Sequence, residues 1–282
     1  KGYLEASNGN IHYILNTKKE NNLIIHYTET LPVKLEEGFE AVVDAKQRQR
    51  TSCNHTATHL LHQALREVLG DHVEQKGSMV HSGMFRFDFS HFAKMTSGEL
   101  KEVEQFVNAR IQEQLPLQEN RTAVLADAMA EGAMALFGEK YGDTVRSIRF
   151  GKSIELCGGT HTQNTAEIWH FKITSEGAVA SGIRRIEAIT GDAAKAHFEE
   201  QTNLLEQVKA ALNQPQDAIK AIENMQTEVA NLKKEIQGLA KLQLQAIKQQ
   251  LAGELETVNG IHFLATEVDL DAGLMKDLAF DL

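Results

Sequence analysis

Two short motifs, each carrying a pair of residues that ligate metals, stand far apart in the chain: His-Thr-Ala-Thr-His at 55–59 and Cys-Gly-Gly-Thr-His at 157–161. If the four side chains share one ion, the chain between them must fold back and pack an early helix against a late turn. The first pair lies in "NHTATHLLHQALREVLG", where Leu61, Leu65 and Val68 recur at helical spacing, so His55 and His59 share a face. The second pair spans Gly158 and Gly159, which disfavour a helix and favour a tight turn. Three imidazoles and a thiolate make a tetrahedral nitrogen/sulfur set of the kind that suits zinc. The alternative is that the four are scattered surface and core groups. Cys53 is the rival thiol; it lies roughly 200° round the helix from His55 and should face away.

A shell of four protein ligands is usually structural, whereas a hydrolytic zinc keeps one position open. A glutamate after the first histidine would mark a zinc-protease helix, and Thr56 stands there instead. The expected ion therefore either ties two distant segments together or yields a ligand when substrate arrives. No acid–histidine dyad stands out beside it; His62 and His81 are possible bases but read more simply as surface residues.

The 282 residues are enough for one or two domains. The two cysteines, Cys53 and Cys157, are too few for a disulfide framework and fit reduced thiols in a cytoplasmic protein. A net charge of -10 excludes a strongly basic nucleic-acid coat but leaves room for a local basic groove. No apolar run approaches the ~18 residues of a membrane span. The start, "KGYLEASNGN", has no signal-peptide pattern and no initiator Met, so the chain reads as a piece of a longer protein.

The expected fold class is α+β in several parts. Residues 1–45 alternate apolar and polar, with turns at Gly9-Asn10 and Asn21-Asn22, and predict a small β-barrel-like domain or meander. "AKQRQR" reads as a polar linker, and Thr51 or Ser52 as the cap of a helix that ends at Gly70. A strand pair around His81-Ser82-Gly83 follows, then a helix capped by Thr96 or Ser97, an extended stretch over 116–124 and a helix over 125–135. "TVRSIRFG", "SIELC", "AEIWHFKIT" and "GIRRIEAIT" read as strands, making 46–192 an α+β domain. Over 193–255 the composition turns to Gln, Ala, Glu, Lys and Leu, and Pro215 divides two helices. Ile222, Met225, Val229, Leu232, Ile236 and Leu239 form a heptad seam in the second. An antiparallel helical hairpin is expected, its seam packing internally or joining a partner. Residues 256–282 begin a strand of a further, truncated domain.

"NHTATHLLHQAL", "QKGSMV", "RFDF", "ELCGGTHTQNT" and "GIRRIEAITG", in this order and spacing, closely resemble the editing domain of the alanyl-tRNA synthetase family. Free-standing alanyl-tRNA editing proteins and the threonyl-tRNA synthetase editing domain are related. The resemblance covers residues 1 to about 255, and the rest is similar to the start of the synthetase's C-terminal domain. The aminoacylation domain that comes first in the family is missing, so this chain alone is not expected to activate alanine. The resemblance implies hydrolysis of the ester in alanine tRNA mischarged with serine or glycine, at the tRNA acceptor end. It implies one zinc ion held by His55, His59, Cys157 and His161. It assigns Thr58 to reading the serine hydroxyl and Gln75 to orienting a water or the ester carbonyl. The N–H groups of Gly158 and Gly159 could then meet developing oxyanion charge. For Thr58 a bond back to its own helical turn is the simpler alternative. Arg86, Arg184 and Arg185 are candidate tRNA contacts, with Arg184 and Arg185 on opposite strand faces, and Lys76, Arg146, Arg149 and Lys152 could complete a basic rim. Self-association would run through the helical hairpin or the missing C-terminal domain. A free-standing editing protein and a non-catalytic tRNA-binding module braced by zinc remain open.

Overall fold

The structure, a computed structural model, describes residues 2–21, 23–36, 38–135, 141–270 and 272–281, without the side chains of 272 and 281. Residues 1–200 and 201–282 form two compact units.

The first unit opens with β1 (Gly2–Ala6), β2 (Ile11–Glu20), β3 (Leu23–Thr28) and β4 (Phe39–Val43), an antiparallel sheet in the order β3-β2-β1-β4. Gly9 takes φ 83° in the β1–β2 turn and Asn21 takes φ 47° in the next; Asn22, the other half of that expected turn, lies outside the described residues. The barrel-like expectation is corrected to an open sheet, because β3 and β4 are its two edges and do not pair with each other. A barrel needs a sealed inner face, yet Tyr13, Leu15, Leu23 and Ile24 are exposed, while Ala6 and Ile14 are buried.

Next come α1 (Ala45–Leu69), β5 (Gln75–Val80), β6 (Phe85–Ser90), α2 (Ser97–Gln112), β7 (Gln118–Val124), α3 (Leu125–Ala130), β8 (Thr144–Phe150), β9 (Ser153–Leu156), a 3₁₀ turn (Thr165–Ile168), β10 (Phe171–Ala180) and β11 (Ile183–Thr190). The expected linker "AKQRQR" is in fact the start of α1. Asp44 caps that helix, its carboxylate accepting from the Gln47 amide at 3.0 Å, and Thr51 donates to the Gln47 carbonyl inside it. Thr96 caps α2 in a capping box with Glu99. The expected helix over 125–135 is shorter, with Gly132 at φ 87° beyond its end. The expected strand "AEIWH" is the 3₁₀ turn, capped by Asn164 and closed by Trp169 at φ 63°.

β10-β11-β6-β5 form one antiparallel sheet and β7-β8-β9 another. α1 is buried almost without interruption from Ser52 to Leu65, on every side. A helix buried all round belongs in the middle of a core. It packs against α2, both sheets and the 3₁₀ turn. Phe85, Phe87 and Phe89 of β6 are wholly buried in that core, one face of an alternating strand.

α4 (Gly191–Ala211) runs into the second unit, followed by α5 (Ala218–Ala252), β12 (Glu256–Val258), β13 (Ile261–Phe263) and α6 (Ala272–Asp281). The break falls around Pro215 as expected, with Asn213 and Gln214 at positive φ and Asp217 capping α5. The seam on α5 is exposed, however, from Ile222 at 36% to Ile236 at 64%. It is an uncovered face, not a buried hairpin interior; α4 has 21 residues against the 35 of α5, and its own Leu204 and Leu205 are exposed too. Asn259-Gly260 turns the β12–β13 hairpin, both residues at positive φ. Among the described residues no helix is long and apolar enough to cross a membrane.

Candidate metal centre

α1 delivers His55 and His59 one turn apart, and the turn after β9 delivers Cys157 and His161. One ligand atom from each of the four lies within 4.8 Å of the others, so the group could hold a metal ion. Cys157 Sγ sits 3.5 Å from His55 Nε2 and 3.4 Å from His161 Nε2. The turn is clamped by Arg146 on β8, whose Nη1 donates to the Cys157 carbonyl at 2.8 Å and the Gly159 carbonyl at 2.6 Å. Glu119 holds the same guanidinium at Nε, at 2.6 Å. Gly159 packs so closely on the His55 ring that a Cβ there would overlap Cε1 and Nδ1; Gly158 faces open space. Only glycine fits at the first position, for a steric reason.

The imidazoles are held from behind as well. Thr56 Oγ1 lies 3.2 Å from His161 Nδ1 and also accepts from the Thr162 amide. His55 bonds to the Thr160 backbone. His59 Nε2 lies 3.2 Å from Glu155 Oε2, and Glu155 Oε1 lies 3.1 Å from His62 Nδ1. Burial pushes His55 and His59 below the ordinary histidine range, His59 well below, with the neighbouring imidazoles adding to the effect on His59. Burial, then His55 and Arg146, takes His161 down to about 3. Neutral imidazoles keep the lone pair that a metal needs. Three such nitrogens and a sulfur are a donor set that fits a borderline-soft divalent ion.

Cys53 faces away as its spacing predicts, buried and donating to the Glu167 carbonyl. Thr58 is buried and donates to the Asn54 carbonyl at 2.8 Å, the bond back to its own turn. Gln75 donates to Ser78 Oγ on its own strand. The Gly159 amide points at Cys157 Sγ, 3.4 Å away, so that donor serves the sulfur. Arg184 and Arg185 do take opposite faces of β11: Arg184, buried, binds Glu176, and Arg185 is bidentate on Asp88 at 2.7 and 2.9 Å. Arg86 stands 3.9 Å from the same Asp88. Of the expected basic rim, Arg146 pairs with Glu119, Arg149 with Glu131 and Lys76 with Glu74.

Sequence reasoning missed Thr56 and Glu155 at this centre, placed Arg146 in a basic rim and named His62 only as a possible base. The surface reading of His62 is corrected: it is 6% exposed and faces a buried carboxylate. Two spacings carried the signal. Glu155 is two residues before Cys157, hence on the same side of an extended chain, and His62 follows His59 by three on the helix.

A cavity of about 490 Å³ opens next to the quartet, lined by Val43, Gln47, Arg48, Thr51, Val80, His81, Ser82 and Thr160. Thr51 is one turn ahead of His55, and Thr160 is the residue on which His55 bonds. Arg48 is exposed and makes no ion pair among the described residues. None of the four ligand residues lines this cavity, nor the groove of about 560 Å³ between β7 and α3 that carries Glu119, Asp127 and Glu131.

The family described as the threonyl and alanyl tRNA synthetase second additional domain matches residues 145–187, the stretch that holds Arg146, Glu155, Cys157 and His161. Over all 282 residues the chain is 58% identical to the alanine–tRNA ligase of Christiangramia forsetii, covering 32% of that protein. It is 54% identical over 265 residues to the ligase of Flavobacterium psychrophilum, covering 94% of this chain and 30% of the relative. For the ligase of Bacteroides fragilis the figures are 47% over 269 residues, 95% and 31%. The chain is a relative of the alanine–tRNA ligases and spans about a third of their length.

Proposed function

We propose that this chain is the editing part of an alanine–tRNA ligase, acting in the cytoplasm on the acceptor end of alanine tRNA. It hydrolyses the ester that links serine or glycine to that tRNA. The observation that carries the reading is the His55–His59–Cys157–His161 quartet beside a cavity large enough for an aminoacyl group and part of a nucleoside. The need is physical: a pocket built for alanine rejects glycine, one methylene smaller, by only about 10 to 200-fold, and rejects an added hydroxyl by about 10²-fold. A second site must remove the errors.

One zinc ion is the metal whose preferences match three imidazoles and a thiolate, and when bound it supplies Lewis acidity next to the cavity. The protein's own groups do the remaining work. Arg48, which lines the cavity, offers its exposed guanidinium to a phosphate. Thr51, His81 and Ser82 offer polar atoms to the ribose and the amino acid. Thr58, its hydrogen spent on Asn54, keeps lone pairs that can accept from a serine hydroxyl. Gln75 reaches a water or the carbonyl by leaving Ser78. With the Gly159 amide turned to Cys157 Sγ, Gly158 is the residue of the turn whose amide would donate to the oxyanion. We assign the deacylase to 46–192, with a β domain at 1–45, a helical region at 193–255 and a further domain starting at 256. The bare seam on α5 is the surface for a second copy or the rest of the ligase.

A second reading has its own support. Four protein ligands make a closed shell, which favours a zinc that braces a tRNA-binding module without catalysis. Deacylation assays on the chain separate the two. Seryl- and glycyl-tRNA should lose their amino acid faster than alanyl-tRNA does, with one zinc per chain on the same sample. Zinc-loaded chain that leaves all three esters intact would end the hydrolase reading.

A further inference from the structure

A carboxylate as buried as Glu155, 4% exposed, is expensive unless something in the fold requires it. Among the described residues its two oxygens meet two polar side chains, both imidazoles: His59, at 3.2 Å, and His62, at 3.1 Å. Those two histidines lie three apart on α1, one above the other, and Glu155 faces both from β9. The strand is pinned where this matters. Met134 donates to the Ile154 carbonyl and accepts from the Leu156 amide, each at 2.9 Å, bracketing Glu155. An ionised carboxylate can only accept, so the nitrogens facing it carry the hydrogens. His62 uses Nδ1 for this contact, and its Nε2 is buried with no hydrogen-bond partner among the described residues. Among the described residues its one polar contact is Glu155. A histidine kept in a core at the cost of an orphaned nitrogen is explained by that contact, since an apolar side chain would fill the space more cheaply.

We propose that Glu155 is the positioning carboxylate of the metal centre, fixing the ring of His59, and that His62 anchors Glu155. The inference rests on the metal reading of the quartet, not on the hydrolytic one. It completes a pattern: His161 is steadied by Thr56 and His55 by the Thr160 backbone, and His59 receives the one charged partner. Such carboxylate–histidine–metal relays set ring orientation and raise ligand basicity, and losing one typically costs 10 to 100-fold in metal affinity.

The test is zinc affinity of the whole chain, read by competition with a chromophoric chelator. Cobalt(II) absorption reports on coordination, and thermal unfolding of the metal-free chain reports on the fold. Glu155→Gln keeps the size and an acceptor oxygen but removes the charge. It should lower zinc affinity about 10 to 100-fold and move the cobalt bands. His62→Gln, which leaves Glu155 in place but unanchored, should do the same to a smaller extent, and it carries the test alone if Glu155→Gln does not fold. Wild-type affinity and an unchanged cobalt spectrum in the folded variants would overturn the proposal. So would a change confined to the unfolding midpoint, which is what a purely structural carboxylate predicts. A wild-type chain that takes up no zinc defeats the metal reading and this inference with it. A wild-type chain that holds zinc tightly but leaves the mischarged esters intact defeats only the hydrolytic reading.

Discussion

α1 and α5 are both helices that periodicity announces, and they end in opposite circumstances. α1 is buried on every side through its middle, whereas the apolar seam of α5 lies open. A repeat of apolar residues at three and four says that a helix will form and which face it would bury. It does not say whether a neighbour exists to bury it. In α1 the residues between the leucines decide the matter: Ser52, Asn54, Thr56, Thr58, His59, His62 and Gln63 are all buried, an arrangement that persists only if polar partners reach them from other elements. They reach Asn54, Thr56, His59 and His62, from Thr190, Thr162 and Glu155, while Thr58 bonds within its own helix and Gln63 Oε1 has no partner among the described residues. Among the described residues α5 buries no such polar row, and its seam is exposed.

The largest expected effect tests whether the α1 face is closed by the turn. Gly159→Ala places a methyl inside the His55 ring's envelope. Either the ring or the turn must move, so zinc content of the purified protein should fall by at least about 100-fold, more than removal of a single outer partner costs. Gly158→Ala meets open space and should bind zinc as the wild type does. Equal zinc content in the two variants would mean that the turn does not seat against α1.

A second contrast compares stability directly. Leu61 is wholly buried, and Leu61→Ala should cost about 2–5 kcal/mol in urea or guanidinium unfolding. Leu232 on the α5 seam is 49% exposed, and Leu232→Ala should stay within about 0.5 kcal/mol in dilute protein. A large penalty at Leu232 that grows with protein concentration would show a second copy covering the seam.

Much of this division could be read from the sequence, and the limits have physical causes. The quartet was legible because its residue types are rare and its spacings fit a helix face and a turn. The aromatic face of β6 was legible because alternation in a strand is strict. The start of α1 was not, since "AKQRQR" has no apolar repeat and the cap is Asp44, just ahead of it. Trp169 at φ 63° breaks a run that looks β-like by composition, and open or closed sheets differ in pairing between β3 and β4, which no local pattern encodes. The partners of His59, His161 and the turn come from β9, α1 and β8, so the centre's outer shell exists only after folding.

The cavity mouth offers a smaller effect. Arg48 makes no ion pair among the described residues, whereas Arg146, Arg149, Arg184 and Arg185 are bound to carboxylates. If Arg48 meets a tRNA phosphate, Arg48→Ala should raise KM a few-fold and lower the salt slope of binding by about one. Arg149→Ala, removing a guanidinium tied to Glu131, should change that slope little.

The smallest expected effect separates the two thiols. Burial, with Glu167 and Asp192 adding to it, pushes the Cys53 thiol up to about 11. Because the folded value is raised above the unfolded one, the buried neutral thiol contributes stability that is fully present below about pH 9. That contribution is lost as pH climbs from there toward 11, so the chain should soften to denaturant across this alkaline window, and Cys53→Ala should flatten the slope. Reactivity follows the thiolate. In metal-free chain at pH 8, iodoacetamide should therefore label Cys157, partly exposed in its turn, well before Cys53, as peptide mapping by mass spectrometry would read. Equal labelling would mean that α1 opens around Cys53 on the timescale of the reaction, and that its burial differs from the exposure of α5 in degree alone.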